Sequence, residues 1–314
     1  MEQPSIPQLR AFTAVAASGH FGDAADELGI TQPAVSSAVR GLERLLGAEL
    51  FERSKAGALL TPLGSALIVP ARQVLAGLDE LVAESRRAGR PHSGPLRLGV
   101  IPTVAPYLLP TALRAFGESF PDLEPEVVED RTASLVAGLA GGDLDVAVLA
   151  LPLDDSALVP LPLYSEELIL LLPAGHHLAG RDDVPLAELA RLDVLLLEEG
   201  HCLRDQAVDV CRAAGALGRT ARAASLSTLS QLVAAGLGVT LLPASAVPVE
   251  VRDGLSTARF AARPAPSRRL ALVVRATSTR RAEYGALAGA LREALTQAGA
   301  PVSVAGGAGA HTPS

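Results

Sequence analysis

The chain contains two cysteines, Cys202 and Cys211, and the residues around the first of them favour thiol chemistry. Cys202 follows His201 and precedes Arg204, at the expected start of a helix. Exposed backbone N–H groups and the helix dipole stabilise a thiolate at such a position, and both neighbours can add to this effect. A thiolate is the form that peroxide oxidises to a sulfenic acid, which can condense with a second thiol. The segment therefore predicts a redox switch, with two inert thiols as the alternative.

The spacing of the cysteines has a geometric consequence. Leu203, Ala207, Val210 and Ala214 recur at helical spacing, which predicts a helix over residues 203–214 with Cys211 beside its apolar stripe. At a rise of 1.5 Å per residue, the two Cα atoms are separated by about 13 Å. A disulfide needs Cα atoms roughly 4.4–6.8 Å apart. The two cysteines can therefore join only if the helix between them unwinds.

Composition indicates a globular protein and limits its expected location and partners. The chain has 314 residues, 49% of them hydrophobic, which suffices for two or three domains with cores built mainly from Ala, Leu and Val. The net charge of −7 argues against an overall nucleic-acid-binding surface, so any DNA contact must be local. No apolar run approaches the roughly 18–20 residues of a membrane span, and the N-terminus lacks the features of a signal peptide. We therefore expect a cytoplasmic protein with reduced thiols, no membrane contact, no metal site and no cofactor.

The first part of the chain predicts a helix-turn-helix. Helices are expected over residues 7–18 and 21–28, and a third follows Thr31, an N-cap candidate, with Pro33 in its first turn. Gly29 ends the second helix and provides the tight turn to the third. The exposed face of this third helix offers side chains that can read bases and contact phosphates, namely Gln32, Ser36, Ser37 and Arg40.

The residue pattern of this region identifies a family. Phe21-x-x-Ala24-Ala25-x-x-Leu28-x-x-Thr31-Gln32-Pro33-Ala34-Val35-Ser36, then Leu42-Glu43 and Leu46-Gly47-x-x-Leu50-Phe51-x-Arg53, closely resembles the DNA-binding domain of LysR-type transcriptional regulators. The resemblance implies a winged helix-turn-helix over residues 1–66 that binds double-stranded DNA. The implied DNA contacts are Thr31, Gln32, Pro33, Ser36, Ser37, Arg40, Arg53 and Lys55. Lys55 is the one cation in the wing segment 54–58, so we expect a shallower salt dependence than in a more basic relative.

A long linker helix is expected next, over residues 62–88, and the family uses this helix for dimerisation. Pro70 lies inside it and should bend or loosen residues 66–70, since an interior proline costs about 3 kcal/mol unless it is accommodated. We assign 67–93 to this helix and to a hinge rich in Gly and Pro.

The remaining chain alternates strands and helices, which predicts an α/β architecture with two wound sub-domains. Strands are expected at 96–101, 126–129, 145–149, 168–172, 194–197 and 270–274, and helices at 110–119, 134–140, 225–235 and 280–298. The family resemblance implies a periplasmic-binding-protein-like regulatory domain over 94–298, behind the α-helical N-terminal part. We place sub-domain one at 94–165 plus 270–298 and sub-domain two at 166–269. Residues 299–314 are small, polar and Gly-rich, and we expect them to be disordered.

The cysteine segment carries a narrower resemblance. Residues 200–207 with Cys211, together with Ile101-Pro102-Thr103-Val104 and Ala224-Ser225-Leu226, are similar to the peroxide-sensing members of the LysR family. The resemblance implies that Cys202 is the peroxidatic thiol and Cys211 the resolving thiol. It also implies that Thr103, Thr132, His201 and Asp205 line a peroxide pocket, and that Arg269 helps to hold the thiolate. A histidine found in some relatives before Ala224 appears here as Ala221 or Arg222.

Each neighbouring side chain also has a simpler interpretation. Thr103 could cap the helix after Pro102, Asp205 could interact with the dipole of its own helix, and Arg269 could be a solvated charge at a strand edge.

These observations favour a peroxide-activated transcription factor, not an enzyme. The resemblance implies a homodimer that assembles to a homotetramer, hydrogen peroxide as effector, RNA polymerase as partner, and resetting by a thiol reductant such as glutaredoxin or thioredoxin. A regulator that senses a small organic metabolite and a thiol peroxidase are the alternatives. The peroxidase would leave the DNA-binding module unexplained.

Overall fold

The structure is a computed structural model that describes residues 3–54, 57–87, 91–153, 155–216 and 219–305. The expected DNA contact Lys55, the centre of the hinge and residues 306–314 lie outside these ranges. The chain divides into two compact units, 1–90 with 138–143 and 91–137 with 144–314. Each unit is described by itself.

The first unit begins with the three expected helices, α1 (Ile6–Ser18), α2 (Phe21–Leu28) and α3 (Gln32–Leu46). Their apolar faces enclose Phe12, whose ring meets that of Phe51 edge-on at 5.6 Å between centroids. Gly29 ends α2 at φ 65°, a left-handed conformation that glycine adopts without steric cost and that turns the chain toward α3. The helix-turn-helix expected from the sequence is therefore present.

A two-stranded antiparallel wing follows, made of β1 (Phe51–Ser54) and β2 (Gly57–Leu60). The N–H of Ala58 donates a hydrogen bond of 2.7 Å to the carbonyl of Gly19, which fixes the wing to the turn between α1 and α2. A side chain at Gly57 would lie 2.8 Å from the same carbonyl, so this close approach requires glycine.

The linker helix α4 spans Pro62–Arg87 and continues through Pro70. The expected loosening at 66–70 does not interrupt the helix, and a bend there stays a prediction. Leu67, Ile68 and Ala71 pack in the core of the helix-turn-helix. The expected domain boundary at residue 66 therefore falls inside one continuous element, and α4 begins within the DNA-binding module.

The second unit is the expected α/β assembly. Its elements are β3 (Gly94–Val100), α5 (Ala105–Ser119), β4 (Leu123–Glu129), α6 (Thr132–Gly141), β5 (Val146–Leu151), β6 (Leu158–Pro173), β7 (Leu195–Leu197), α7 (Cys202–Ala213), β8 (Arg219–Ala223), α8 (Leu226–Ala234), β9 (Thr240–Pro243), α9 (Val247–Glu250), β10 (Leu255–Ala258), β11 (Ser267–Arg275), α10 (Arg281–Gln297) and β12 (Ser303–Val304). The main sheet has the order β10-β6-β11-β5-β3-β4, with β9 and β12 also paired to β6. Strands β7 and β8 form a separate parallel pair. None of the described helices is long and apolar enough to cross a membrane.

Two long strands join the two halves of this unit, which we call lobe one (94–165 and 270–298) and lobe two (166–269). Strand β6 is 16 residues long and pairs with β11 along its first part and with β9 and β10 along its last part. The expected strand at 168–172 is only the end of β6, because Pro160, Pro162 and Glu166 interrupt the apolar pattern before it.

The expectation of disorder after residue 298 is wrong for residues 299–305. Ser303 and Val304 pair with Ser165 and Tyr164 of β6, and the N–H of Ala305 donates a 2.9 Å hydrogen bond to the carbonyl of Leu163. Small side chains made the segment look unstructured, but its ordering rests on backbone pairing, which composition does not reveal.

Candidate redox site and DNA-binding surface

Helix α7 begins at Cys202 and ends at Ala213, close to the expected bounds, and His201 is its N-cap residue. Leu203, Ala207 and Cys211 form its buried stripe, so Cys211 lies on the stripe itself. Both cysteines are free thiols. With the helix intact, their Cα atoms are about 13 Å apart along its axis. The structure therefore holds the pair apart, as the helical spacing predicted.

Cys211 lies in the apolar core of lobe two. Its exposed fraction is 1%, and Leu196, Val239 and Leu241 are members of the same core. Burial raises the pKa of the Cys211 thiol. This thiol is therefore protonated and shielded from solvent while α7 is folded.

The Cys202 thiol is only partly buried, and burial is still the largest influence on its acidity. Burial raises its pKa, and Asp205 raises it further. Arg268, the Thr132 hydroxyl and the N–H of Leu203 oppose this by favouring the thiolate, in that order of size. The net direction is upward from the ordinary value of 9.0, so Cys202 rests as a thiol at neutral pH.

The structure does not place His201 or Arg204 among the groups that lower the pKa of the Cys202 thiol. His201 is 4% exposed, and burial followed by the nearby Arg131 charge lowers its pKa, against an opposite effect of Glu198. The imidazole is therefore neutral at pH 7. The Arg204 guanidinium lies 3.5 Å from Glu199 and 3.8 Å from Asp205, so its charge is shared with two carboxylates.

Arg268 is the buried cation of the site. Its side chain is fully enclosed, and its Nε donates a 2.9 Å hydrogen bond to Glu166. Nη1 donates to the Thr103 hydroxyl and Nη2 to the Thr103 carbonyl, both at 3.0 Å. The second oxygen of Glu166 accepts from the N–H of Ser245 at 2.9 Å. Arg268 therefore ties β11, β6 and the loop after β3 together beside Cys202.

The structure does not place Arg269 at the thiolate, and its neighbour Arg268 is the buried arginine near Cys202. Arg269 is exposed, while Arg268 is 2% exposed and is the cation that acts on the Cys202 thiol. Successive side chains of a strand point to opposite faces of a sheet, so an error of one position exchanges a site residue for a solvated one. The simpler interpretation of Arg269 as a solvated charge fits the structure.

The other expected pocket residues separate into two groups. Thr103 is buried and does not cap α5, whose N-cap residue is Val104. The Thr132 oxygen is buried and near enough to the Cys202 sulfur to lower the pKa of the thiol, although it makes no hydrogen bond within the described residues. Asp205 has a side chain that is 73% exposed beside Arg204, so it does not line a buried pocket.

Sequence reasoning missed Glu166, the buried partner of Arg268, because the two residues are 102 positions apart.

The exposed face of α3 carries most of the expected DNA contacts. Thr31, Gln32, Pro33, Ser37 and Arg40 are exposed, and Thr31 makes no side-chain cap hydrogen bond. Ser36 is the exception.

Ser36 is 9% exposed, and its hydroxyl accepts a 2.9 Å hydrogen bond from Arg40. Ser36 therefore positions Arg40 and does not belong to the exposed face. The side chains of Arg53, Lys55, Ala221 and Arg222 lie outside the described part of the structure. Over the described residues, no group of three or more His, Cys, Asp or Glu side chains could hold a metal ion.

A winged helix-turn-helix followed by a long helix and a two-lobed α/β domain is the arrangement of a DNA-binding transcriptional regulator. Residues 6–65 match the bacterial regulatory helix-turn-helix protein model of the lysR family, and residues 89–296 match the LysR substrate binding domain model. The chain belongs to the LysR family of transcriptional regulators.

Known proteins are similar to this chain over nearly its whole length. A "probable hydrogen peroxide-inducible genes activator" from Streptomyces viridosporus is 54% identical, covering 93% of this chain and 95% of the relative. The structure of a full-length OxyR point mutant from Pseudomonas aeruginosa has a TM-score of 0.78 at 32% identity, covering 93% of this chain and 96% of that one. A peroxide-bound cysteine-to-serine mutant of OxyR from Corynebacterium glutamicum has a TM-score of 0.66 at 42% identity, covering 95% of this chain and 94% of that one.

Proposed function

We propose that this protein is a peroxide-sensing transcriptional activator of antioxidant genes, switched by oxidation of Cys202 and disulfide formation with Cys211. The observation that carries the proposal is the free Cys202 beside Thr132 and Arg268, with Cys211 buried further along the intact α7. The curated relatives that share this architecture are named as activators of hydrogen peroxide-inducible genes, and one solved relative is described as peroxide-bound.

The first chemical step needs a thiolate at Cys202. The sulfur attacks one peroxide oxygen, the O–O bond breaks, and the hydroxide that leaves takes up the thiol proton to become water. Cys202 is then a sulfenic acid. Arg268 assists because its positive charge favours the thiolate that burial disfavours.

In the second step the Cys211 thiol attacks the Cys202 sulfur. An S–S bond forms, the S–O bond breaks and a second water leaves, so two thiols are oxidised and one peroxide is reduced to two waters. Cys211 must leave the core of lobe two to reach Cys202, and α7 must unwind. The chemical signal thereby becomes a change of shape in the regulatory domain.

The change of shape acts on DNA through the exposed face of α3. We infer that the protein works in the cytoplasm on double-stranded DNA as a homodimer that assembles to a homotetramer. It would then contact RNA polymerase and be reset by glutaredoxin or thioredoxin, which reduce such disulfides.

The test is peroxide-induced transcription from a promoter that the protein binds. Cys202→Ser should abolish induction, because serine cannot form a sulfenic acid, while DNA binding by the reduced form is retained. Retained induction would sink the proposal. Cys211→Ala is the companion variant, and an unaltered response from it would remove only the disulfide step.

The stability of α7 should set the rate of the second step. Asp209 is exposed on α7, so replacing it with glycine or alanine changes helix propensity without altering the core. Disulfide formation after peroxide addition should be about fivefold faster in Asp209→Gly than in Asp209→Ala, since the two differ by about 1 kcal/mol in helix stability. Rapid alkylation of free thiols at timed intervals measures this rate. Equal rates would mean that unwinding does not limit the step.

A further inference from the structure

One ion pair joins the two lobes directly next to the redox site. Arg131 of lobe one makes a salt bridge with Glu198 of lobe two, and their side chains are 46% and 34% exposed. Helix α6 begins at Thr132, and Arg131 directly precedes it. The carbonyl of Arg131 accepts a 3.1 Å hydrogen bond from the N–H of Leu135. Glu198 follows β7 and its N–H donates to the carbonyl of Ala223 at 3.1 Å. Both ends of the pair are therefore anchored to regular structure.

The Arg131 side chain also crosses the backbone immediately before Cys202. A Cβ atom at Gly200 would lie 2.9 Å from Cδ of Arg131 and 3.1 Å from its Nη1. Gly200 has φ 92°, a conformation that L side chains rarely adopt. Glycine at this position lets the guanidinium group lie against the chain between Glu198 and His201.

The pair shares its carboxylate with the site. Glu198 Oε1 lies 3.9 Å from Nε2 of the buried His201, and that nitrogen makes no hydrogen bond in the described part of the chain. The ion pair brackets the redox site, because Arg131 directly precedes Thr132 and Glu198 lies four residues before Cys202. The Thr132 hydroxyl lies near enough to the Cys202 sulfur to influence it. A shift of the lobes at this point would separate the Thr132 hydroxyl from the Cys202 sulfur.

We propose that Arg131 and Glu198 are positioning residues that hold Thr132 against Cys202 across the two lobes and so set how fast peroxide oxidises Cys202. This inference rests on the proposed function. Neither side chain touches the reacting sulfur, and the pair acts by fixing the relative position of two groups that do. Because the ion pair is partly exposed, its effect is moderate and is expected to weaken at high salt.

The test measures sulfenic acid formation at Cys202 in the full-length reduced protein carrying Cys211→Ala. Hydrogen peroxide is added, the product is trapped with a dimedone reagent at timed intervals, and mass spectrometry follows the labelled peptide. Arg131→Ala and Glu198→Gln should each slow the reaction about two- to fivefold, the range that a partly exposed ion pair supplies. The double variant should be no slower than the slower single variant, because both changes break the same contact. Arg131→Lys should stay within about twofold of the parent, because it keeps the charge.

Arg191→Ala is the matched control, since Arg191 pairs with Glu188 at 3.2 Å within lobe two and spans no lobe boundary. It should leave the rate unchanged. An unchanged rate in Arg131→Ala, or additive slowing in the double variant, overturns the inference while the proposed function stands. A parent protein whose Cys202 does not react with peroxide overturns the proposed function and this inference with it.

Discussion

Arg268→Ala is expected to lower the free energy of unfolding by about 3–5 kcal/mol, because it leaves the carboxylate of Glu166 buried without its cation. The same change should raise the pKa of Cys202 further, since Arg268 is the strongest group that favours its thiolate. Less thiolate at pH 7 means slower oxidation by peroxide. Chemical denaturation gives the first quantity, and the pH dependence of Cys202 alkylation gives the second, as a midpoint moved to higher pH.

Two controls separate stability from activation. Arg269→Ala removes an exposed arginine one position away and should change the free energy of unfolding by no more than about 0.5 kcal/mol. Arg268→Met with Glu166→Leu removes both buried charges, which should recover most of the stability while Cys202 still lacks its cation. A double variant that regained parental reactivity toward peroxide would show that Arg268 acts only through folding.

Oxidation by peroxide should remove the amide protection of residues 203–211. The disulfide cannot form with α7 intact, so the backbone hydrogen bonds of this segment must be lost in the oxidised state. Amide exchange in these residues should accelerate by roughly a hundredfold or more, the factor that corresponds to about 3 kcal/mol of lost local stability. Hydrogen exchange with mass spectrometry of the reduced and oxidised protein provides the measurement.

Cys211→Ala treated with peroxide is the control for this experiment, because its oxidation stops at the sulfenic acid and α7 should stay protected. Helix α8 is an internal reference in the same lobe. Protection of 203–211 that persists in a protein with a verified Cys202–Cys211 disulfide would refute the unwinding mechanism.

Local pattern predicted α2 and α7 closely, because the signals for a helix lie within its own segment. It placed the start of α5 five residues too late and missed α9. The apolar spacing of Leu203 and Ala207 and the glycine after Leu28 depend only on neighbouring residues, and α7 and α2 lie where those signals placed them. The same reasoning correctly predicted that α7 keeps Cys202 and Cys211 apart.

Features that depend on partners distant in the sequence were harder to predict. Arg268 and Arg269 are alike in type, and only the pairing of β11 with β5 and β6 decides which of them turns inward. No neighbouring residue marked Glu166 as a site residue, because its role in the site depends on the ion pair with the distant Arg268. Ser36 was assigned to the DNA-facing surface by its helical position, but its contact with Arg40 covers it. Strand β12 was missed because its partner on β6 lies more than a hundred positions earlier.

The burial of Cys211 imposes a fixed order on the events that the proposed mechanism requires. At 1% exposure, this thiol is out of reach of any oxidant dissolved in water while α7 is folded. Small disulfides and metal ions that attack accessible thiols therefore meet only Cys202. The Cys211 thiol therefore stays reduced until Cys202 has reacted, and it becomes available only when α7 opens locally. Oxidation of Cys202 alone to the sulfenic acid is reversible. The new conformation requires two successive events in one molecule, oxidation of Cys202 and then disulfide formation with Cys211.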